Sequence, residues 1–269
     1  MKFIGVLRAA RFSPNSSDLP IMQAVVNGLE KRGAECQLVD EDDLPPQLAD
    51  DCTYFTMARS EAAREKLHKL SRVVNKTTAL RTLSDRIEVS KLLQRFGLGQ
   101  PEWRVLRTDN KQDWRGTCWL KKRSGYTATP GDVCFAETPE QEGACLQNFN
   151  ANNISEVFEQ AHAAGDLVKF YSVAGTPFFH YSYPTEQARQ GKFGLEEHNG
   201  KPQHYTFVAE DLKENLDRAV LSIGLRVYGA DVIVLESGDY QIIDLNDWPS
   251  FSVCVDEAAP YIVDLLMDL

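Results

Sequence analysis

The stretch from Tyr228 to Ser250 constrains the fold of this chain most strongly. Two runs rich in β-branched and apolar residues, 231–235 and 240–245, flank the dipeptide Ser237-Gly238. Runs of this kind on either side of a short glycine-containing turn are typical of a β-hairpin. The sequence therefore predicts two neighbouring antiparallel strands in this stretch, joined by a tight turn.

The turn sets the register of the predicted hairpin. Asp231 then faces Asp244 and Leu235 faces Tyr240, and a looser four-residue loop gives the same pairing. Asn246 lies two residues beyond Asp244, so its side chain points to the same face of the sheet. Facing carboxylates repel each other, and three hard oxygen ligands on one face suit a magnesium ion. The alternative is a surface hairpin with a solvated acidic pair.

The segment around Asp244 favours the metal site over the surface hairpin. Asp244 follows the apolar pair Ile242-Ile243, and the segment 246–249, NDWP, then breaks the strand. The hairpin resembles the C-terminal core of the ATP-grasp superfamily, whose members hold magnesium with an acidic residue on one strand and an acidic-x-Asn triplet on the next. The segments GADVIV and IIDLNDWPSF are similar to that pattern, and the matching positions are Asp231, Asp244 and Asn246.

The resemblance implies an α/β (α+β) fold with two domains. A Rossmann-like pre-ATP-grasp domain over residues 1–74 would precede a two-lobed ATP-grasp domain over residues 75–269, with mixed or antiparallel sheets. It also implies ATP and Mg²⁺ as cofactors and a small-molecule substrate, either a carboxylate or a polyol or phosphate compound. Dimers are common in the superfamily, so a homodimer is a further expectation.

The N-terminal segment has the pattern of a parallel α/β sheet. A strand over 2–7 is followed by a loop, a helix with apolar residues at 22, 25, 26 and 29, and a second strand over 37–39. Ligands of such sheets bind at the carboxyl ends of the strands, although a solvated loop is the alternative here. The candidate substrate-binding residues are Arg8, Arg11 and Ser13 of this loop and Ser250 after the hairpin.

Basic residues in the middle of the chain are candidates for catalysis and for binding nucleotide phosphates. The segment SDRIEVSKLLQRFGLGQPEW resembles a helix of the superfamily in which Arg86 would contact the phosphates. Superfamily members also place a lysine at the end of a strand, before a glycine-rich flap, and Lys121 or Lys122 matches it. Strand alternation puts these two on opposite faces, so only one should enter the site. The alternative for all three residues is a solvated surface.

The resemblance implies that the next segment holds the adenine. The apolar spacing 154, 157, 158 and 161 predicts a helix that ends at Gly165, and residues 166–173 predict a strand. The resemblance implies that the backbone of Lys169, Phe170 and Tyr171 binds adenine. A strand buried in the core is the alternative, and the two are compatible. Residues 186–204 are polar and predict a loop between the lobes.

Composition narrows the possible partners and the compartment. The net charge of −10 argues against a nucleic-acid groove or an anionic membrane as partner. No apolar run reaches the roughly eighteen residues of a membrane-spanning helix, and we expect a cytoplasmic chain. Its six cysteines lack the CxxC spacing of zinc sites, which favours reduced thiols.

Three functions agree with these features. The first is a carboxylate–amine ligase that works through an acyl phosphate. The second is a small-molecule kinase, because LVKFYSVAG also resembles the inositol trisphosphate kinases; Lys169 would then contact substrate phosphates, but His162 is one residue out of register with their histidine. The third is a non-catalytic nucleotide-binding module, which would have no need of Asp231, Asp244 and Asn246.

Overall fold

The computed structural model describes residues 1–12, 18–110, 112–126, 129–186 and 195–269. Ser13 and part of the polar segment 186–204 lie outside the described residues. The named strands form three four-stranded sheets, one parallel and two antiparallel. This mixed α/β architecture confirms the predicted fold class.

The first sheet is parallel and contains only strands that precede residue 75. Its strand order is β2-β1-β3-β4. Helix α1 covers one face with the predicted apolar residues, among them Met22, Val25 and Leu29, all fully buried. The elements of this part are β1 (Lys2–Leu7), α1 (Leu19–Lys31), β2 (Glu35–Asp40), β3 (Thr53–Thr56), α2 (Glu61–His68) and β4 (Val73–Val74).

The second sheet is antiparallel, with the order β5-β8-β6-β7. Helix α5 packs on it through Leu146 and Phe149, which are buried with Val157 in one apolar cluster. The elements of this part are α3 (Thr77–Leu83), α4 (Arg86–Arg95), β5 (Trp103–Arg107), β6 (Cys118–Lys122), β7 (Val133–Ala136), α5 (Pro139–Ala151) and β8 (Glu156–Ala161).

The prediction of a helix ending at Gly165 was wrong, because the segment forms strand β8. This strand lies between β5 and β6 and is covered on both faces. Val157 and Phe158 are buried, and so are Glu159 and Gln160, whose polar groups have partners inside the protein. A strand buried on both sides loses the alternation that identifies a strand, so the apolar spacing matched a helix by coincidence.

The third sheet is antiparallel, with the order β10-β9-β11-β12. Helices α3, α4 and α6 pack on one face, where Phe170 and Tyr228 are buried with Leu216. The other face shares a core with the first sheet. The elements of this part are β9 (Asp166–Val173), β10 (Phe179–Ser182), α6 (Ala209–Ser222), β11 (Val227–Val234), β12 (Tyr240–Asp247) and α7 (Val255–Met267).

The hairpin β11–β12 confirms the predicted pairing of Asp231 with Asp244 but corrects the turn. Val234, not Leu235, faces Tyr240. A β-bulge shifts the register between Asp231 and Val232, and Ile243 is the extra residue on β12. The loop therefore begins one residue earlier than predicted: the Leu235 N–H donates to the Asp239 carbonyl at 2.9 Å. A turn sequence alone does not reveal a bulge, and here the bulge compensates for the longer loop.

Helix α7 returns to the N-terminal part of the chain and packs against α1. Ile262, Val263 and Leu266 of α7 are buried in the same core as Val25 of α1. The two helices approach each other closely at Gly28, where an added Cβ would lie 2.7 Å from a methyl group of Val263. Within the described residues, no helix is long and apolar enough to cross a membrane.

Substitution of Gly28 by Ala should destabilise the fold by about 1–3 kcal/mol, because the new methyl group overpacks the contact with Val263. The matched control is Gly143→Ala in α5, where an added Cβ meets no atom within 4 Å. This control should stabilise the protein by about 0.5–1 kcal/mol through helix propensity. Urea denaturation measures both. In a Val263→Ala background, Gly28→Ala should no longer lower the free energy of unfolding. An undiminished loss there would show that the α1–α7 contact is not its cause.

Candidate functional site

A cavity of about 260 Å³ lies between the second and third sheets. Strands β6 and β7 line one side, β9, β11 and β12 line the other, and the first turn of α4 closes one end. The lining residues are Arg86, Trp119, Lys121, Val133, Leu167, Lys169, Leu195, Glu196, Asn199, Asp231, Ile243, Asp244 and Asn246. The three predicted metal ligands and three of the predicted basic residues therefore line the same cavity.

The acidic part of the cavity is the face of the hairpin β11–β12. Asp231 and Asp244 are directly opposite each other in the ladder, and Asn246 follows on the same face. Burial raises the pKa of Asp231, Lys169 opposes that shift, and Asp244 adds to it. A carboxylate that is hard to ionise because it is buried beside another carboxylate gains from a nearby cation.

Three basic side chains from three different elements surround these carboxylates. Arg86 of α4 donates from Nη1 to Asp244 at 3.1 Å and from Nε to the Lys122 carbonyl at 3.1 Å. Lys169 of β9 lies beside Asp231, which is the main reason that its pKa is raised, and it also pairs with Glu196 at 3.4 Å. The cavity therefore holds a compact set of opposite charges.

The structure distinguishes the two candidate lysines of β6. Lys121 is buried, and its Nζ donates to Gln160 Oε1 at 2.7 Å and to the Ile243 carbonyl at 3.2 Å. Burial and the neighbouring Arg86 lower the pKa of Lys121 to about 8. Lys122 is on the opposite face of the strand and does not line the cavity. Its carbonyl, rather than its amine, serves the site by accepting a hydrogen bond from Arg86.

The rest of the cavity lining is apolar and partly aromatic. It consists of Trp119, Val133, Leu167, Leu195 and Ile243. The indole N–H of Trp119 donates to His162 Nδ1 at 3.1 Å. These residues were not predicted from the sequence, although Trp119 is two residues before Lys121 and so shares its face of β6.

The predicted adenine contacts need correction. Strand β9 is paired on both sides, with β10 and with β11, so the backbone groups of Lys169, Phe170 and Tyr171 are used within the sheet. The side chains of Phe170 and Tyr171 are buried in two separate cores. Only Lys169 reaches the cavity, and it does so through its side chain. The backbone of this segment is therefore not available to a base.

The predicted substrate residues are not at this cavity. Arg11 is half exposed and forms a two-pronged ion pair with Asp42 on the surface. Ser250 does not line the cavity. Arg8 is largely buried at the carboxyl end of β1, where it pairs with Asp18 at 3.1 Å. Among the four candidates, then, Arg8 has the environment of a functional residue, and Ser13 is outside the described residues.

A second acidic cluster lies on the other face of the second sheet. Cys118, Glu142 and Glu159 approach one another closely enough to share an ion. However, Arg104 binds Glu159 through two nitrogens, at 2.7 and 2.8 Å, and burial raises the pKa of the Cys118 thiol to about 12. A metal ligand must lose its proton, so this cluster suits a buried ion pair better than a metal.

Comparison of the structure with solved structures identifies the fold. A RimK-domain ATP-grasp protein from Sphaerobacter thermophilus matches with a TM-score of 0.69 at 16% identity, covering 98% of this chain and 99% of that chain. The D-alanine–D-alanine ligase from Coxiella burnetii matches with a TM-score of 0.71 at 11% identity, covering 100% and 95%. The same enzyme from Bacillus anthracis, complexed with ATP, gives 0.68 at 12% identity, covering 100% and 95%.

The chain therefore has the ATP-grasp fold, as the hairpin and its acidic residues predicted. No protein-family model matches the sequence, and no curated protein matches it. The assignment therefore concerns the fold alone, because it rests on three-dimensional similarity at sequence identities of 16% and 11%.

The second cluster gives a prediction about pH. The pKa of Glu142 is raised from its ordinary value of 4.5 to about 7, mainly by burial and then by the hydrogen bond with Glu159. Between pH 4.5 and about pH 7 the folded state therefore binds more protons than the unfolded state. The free energy of unfolding consequently falls as the pH rises through 7. Glu142→Gln should remove this loss, so the variant should gain about 1–3 kcal/mol over the natural chain between pH 5 and pH 8.

Urea denaturation at the two pH values measures this effect. The matched control is Glu159→Gln, which removes the closer of the two carboxylate partners of Arg104 and should destabilise the fold at both pH values. Parallel stability curves for the natural chain and Glu142→Gln would contradict the assignment of the titration to Glu142.

Proposed function

We propose that the chain is an ATP- and magnesium-dependent ligase that joins a carboxylic acid to an amine through an acyl phosphate. The observation that carries this proposal is the convergence of Asp231, Asp244 and Asn246 with Arg86, Lys121 and Lys169 on one cavity. The ATP-grasp fold and the ligase activity named for two of the matching structures support it.

The donor set fits a magnesium ion. Two facing carboxylates and an amide oxygen are hard ligands, and the raised pKa of Asp231 reflects burial beside a second carboxylate, which a divalent cation would relieve. Asp231, Asp244 and Asn246 would hold the ion. When bound, it would supply charge neutralisation for the phosphates of the nucleotide.

The remaining lining residues fit the rest of a nucleotide. Lys121 and Lys169 project into the cavity beside the acidic face, where they would neutralise phosphate oxygens. Arg86 is held by Asp244 and by the Lys122 carbonyl, so its guanidinium has a fixed position at the same end. The apolar lining residues, among them Trp119 and Ile243, suit a flat base, and the side chain of Gln160 keeps Lys121 in place.

The reaction needs no side-chain nucleophile. A carboxylate oxygen of the acid attacks the γ-phosphorus, and the bond from that phosphorus to the β–γ bridging oxygen breaks as ADP leaves. The amine nitrogen then attacks the acyl carbon, the bond from this carbon to the phosphate oxygen breaks, and inorganic phosphate leaves. The nitrogen loses its proton to water. The basic residues of the cavity would stabilise the charge that moves onto the phosphates.

Trapping with hydroxylamine tests the ligase directly. With ATP, Mg²⁺ and a suitable acid, hydroxylamine should take the place of the amine and give a hydroxamate, with one inorganic phosphate released for each ADP. The measurement is hydroxamate, ADP and free phosphate over a panel of acids, amines and inositol phosphates. The negative control is Asp244→Asn, which removes one ligand of the metal and should lower the rate by about 100-fold or more.

Other results would identify the two alternative functions. ADP without free phosphate, together with a product heavier by one phosphoryl group, would show a kinase, because hydroxylamine does not attack a phosphate ester. Binding of ATP without turnover of any compound in the panel would favour a non-catalytic nucleotide-binding module.

The adjacent lysines of β6 give a matched pair of variants. Lys121→Met removes a cation from the cavity and should weaken ATP binding by about 10- to 100-fold, while adenosine binding changes little, because the lost contact is to phosphate. Lys122→Met changes the neighbouring residue on the opposite face and should leave both affinities unchanged. Isothermal titration calorimetry measures these affinities. An equal loss of ATP and adenosine in Lys121→Met would show that the residue shapes the pocket instead.

A further inference from the structure

Two largely buried arginines lie together at the carboxyl ends of β1 and β3, and neither is among the residues that line the cavity. Arg8 directly follows β1, and Arg59 comes shortly after β3. Their side chains are only 12% and 10% exposed. Because neighbouring parallel strands end at the same edge, the two guanidinium groups are brought together at the place where α/β sheets bind ligands.

Both arginines are already paired with carboxylates. Arg8 Nη1 contacts Asp18 at 3.1 Å, and Arg59 Nη1 contacts Asp247 at 2.5 Å. Each guanidinium is a planar fork with several N–H donors, and each of these ion pairs uses one terminal nitrogen. The other Arg8 nitrogens reach the carbonyls of Met57 and Trp248 only at 3.4 Å. Among the described residues, the Arg59 side chain has no hydrogen-bond or ion-pair partner besides Asp247.

The two guanidinium groups also repel each other. Burial lowers the pKa of Arg8, and the next largest contribution to that shift is the positive charge of Arg59. Two like charges held side by side in a protein are costly unless anions lie close to them. The carboxylates of Asp18 and Asp247 act on both arginines and balance their charge, so a ligand would be bound by the unused guanidinium N–H groups and not by excess positive charge.

Arg59 also connects this pair to the nucleotide cavity. Tyr126, on the loop that follows Lys121 and Lys122, covers the Arg59 guanidinium at 4.0 Å from the ring centroid. Asp247, the partner of Arg59, is the residue after Asn246 in β12. A molecule bound by Arg59 would therefore lie next to both the loop after the cavity lysine and the end of the strand that carries two of the metal ligands.

Glu41 fixes the backbone on which both arginines stand. Its buried carboxylate accepts hydrogen bonds from the N–H groups of Ala9, Arg59 and Ser60, at 2.9, 3.0 and 2.6 Å. These are three of the backbone donors at the carboxyl ends of β1 and β3, and Glu41 occupies them. An anionic ligand at this edge would consequently be bound by the guanidinium side chains.

We propose that the acid used by this chain is a dicarboxylic acid, and that Arg8 and Arg59 bind its second carboxylate while the first one reacts. This inference rests on the ligase function proposed above. The class of anion follows from the structure itself, because the groups that both arginines now contact are carboxylates, those of Asp18 and Asp247. Guanidinium forks match a carboxylate in a planar, two-pronged geometry.

Pairs of acids test the proposal in the hydroxylamine assay with the full chain, ATP and Mg²⁺. Each dicarboxylic acid is compared with the monoamide in which the second carboxylate is replaced, such as glutamate with glutamine. We expect kcat/KM for the dicarboxylic member of the preferred pair to exceed that of its monoamide by about 100-fold. The monoamide would leave the two guanidinium groups without the carboxylate that they bind. Equal rates, or a preference for a phosphate in the second position, would overturn the proposal.

A charge-neutral double variant separates substrate binding from a purely structural role. Arg59→Met combined with Asp247→Asn removes the cation together with its buried partner, so no unpaired charge stays inside the protein. The variant should lose most of the preference for the dicarboxylic acid while it keeps its KM for ATP and its rate with the monoamide. The matched control is Arg64→Met, which changes the other guanidinium that faces the ring of Tyr126, at 5.6 Å, and should keep the preference.

The outcomes distinguish this inference from the proposed function. If no acid in any pair gives a hydroxamate, the ligase function fails and this inference falls with it. If acids react but the double variant keeps the preference, or loses activity equally with both members of the pair as its melting temperature falls, the ligase function stands. In that case Arg59 and Asp247 join the first sheet to the hairpin without binding the acid.

Discussion

The repulsion between Asp231 and Asp244 is the constraint on which the rest of the structure depends. The hairpin holds the two carboxylates face to face, so the fold must bring positive charge to them. It does so from three separate segments: Arg86 from the start of α4, Lys121 from β6 and Lys169 from β9. Each cation is itself covered by protein and would be costly without its partners. The charges that form the site therefore also bind the second sheet to the third.

A buried amide is one of the links between the first sheet and this site. Asn75, which follows β4, accepts hydrogen bonds at Oδ1 from the N–H groups of Arg226 and Val227, both at 2.8 Å, and donates from Nδ2 to the Val227 carbonyl at 2.7 Å. Strand β11 thus begins on the side chain of the residue that directly follows β4, a few residues before Asp231. The hydrogen bonds of Asn75 therefore fix the position of the acidic face relative to the first sheet. They also hold the paired arginines at a fixed position relative to the cavity.

What could be predicted from sequence follows from how far each interaction reaches along the chain. The facing of Asp231 and Asp244 depends on strand alternation near one turn, and it was predicted although the bulge at Ile243 was not. The assignment of adenine to Phe170 and Tyr171 failed because the partners of a central strand come from distant segments. The choice between Lys121 and Lys122 likewise needed the packing of β6 against the third sheet. The pairing of Arg8 with Arg59 required the order of the strands in the first sheet.

The packing of α7 against α1 has a consequence for how the chain is made. The first sheet leaves the ribosome early, but the apolar side of α1 that carries Val25 and Gly28 is covered by α7, which is synthesised after all three sheets. Contacts between such distant segments form late, because the intervening chain must first be ordered. Until then the nascent N-terminal part displays an apolar surface of the kind that chaperones bind. The part of the chain that is translated first is thus among the last to acquire its complete core.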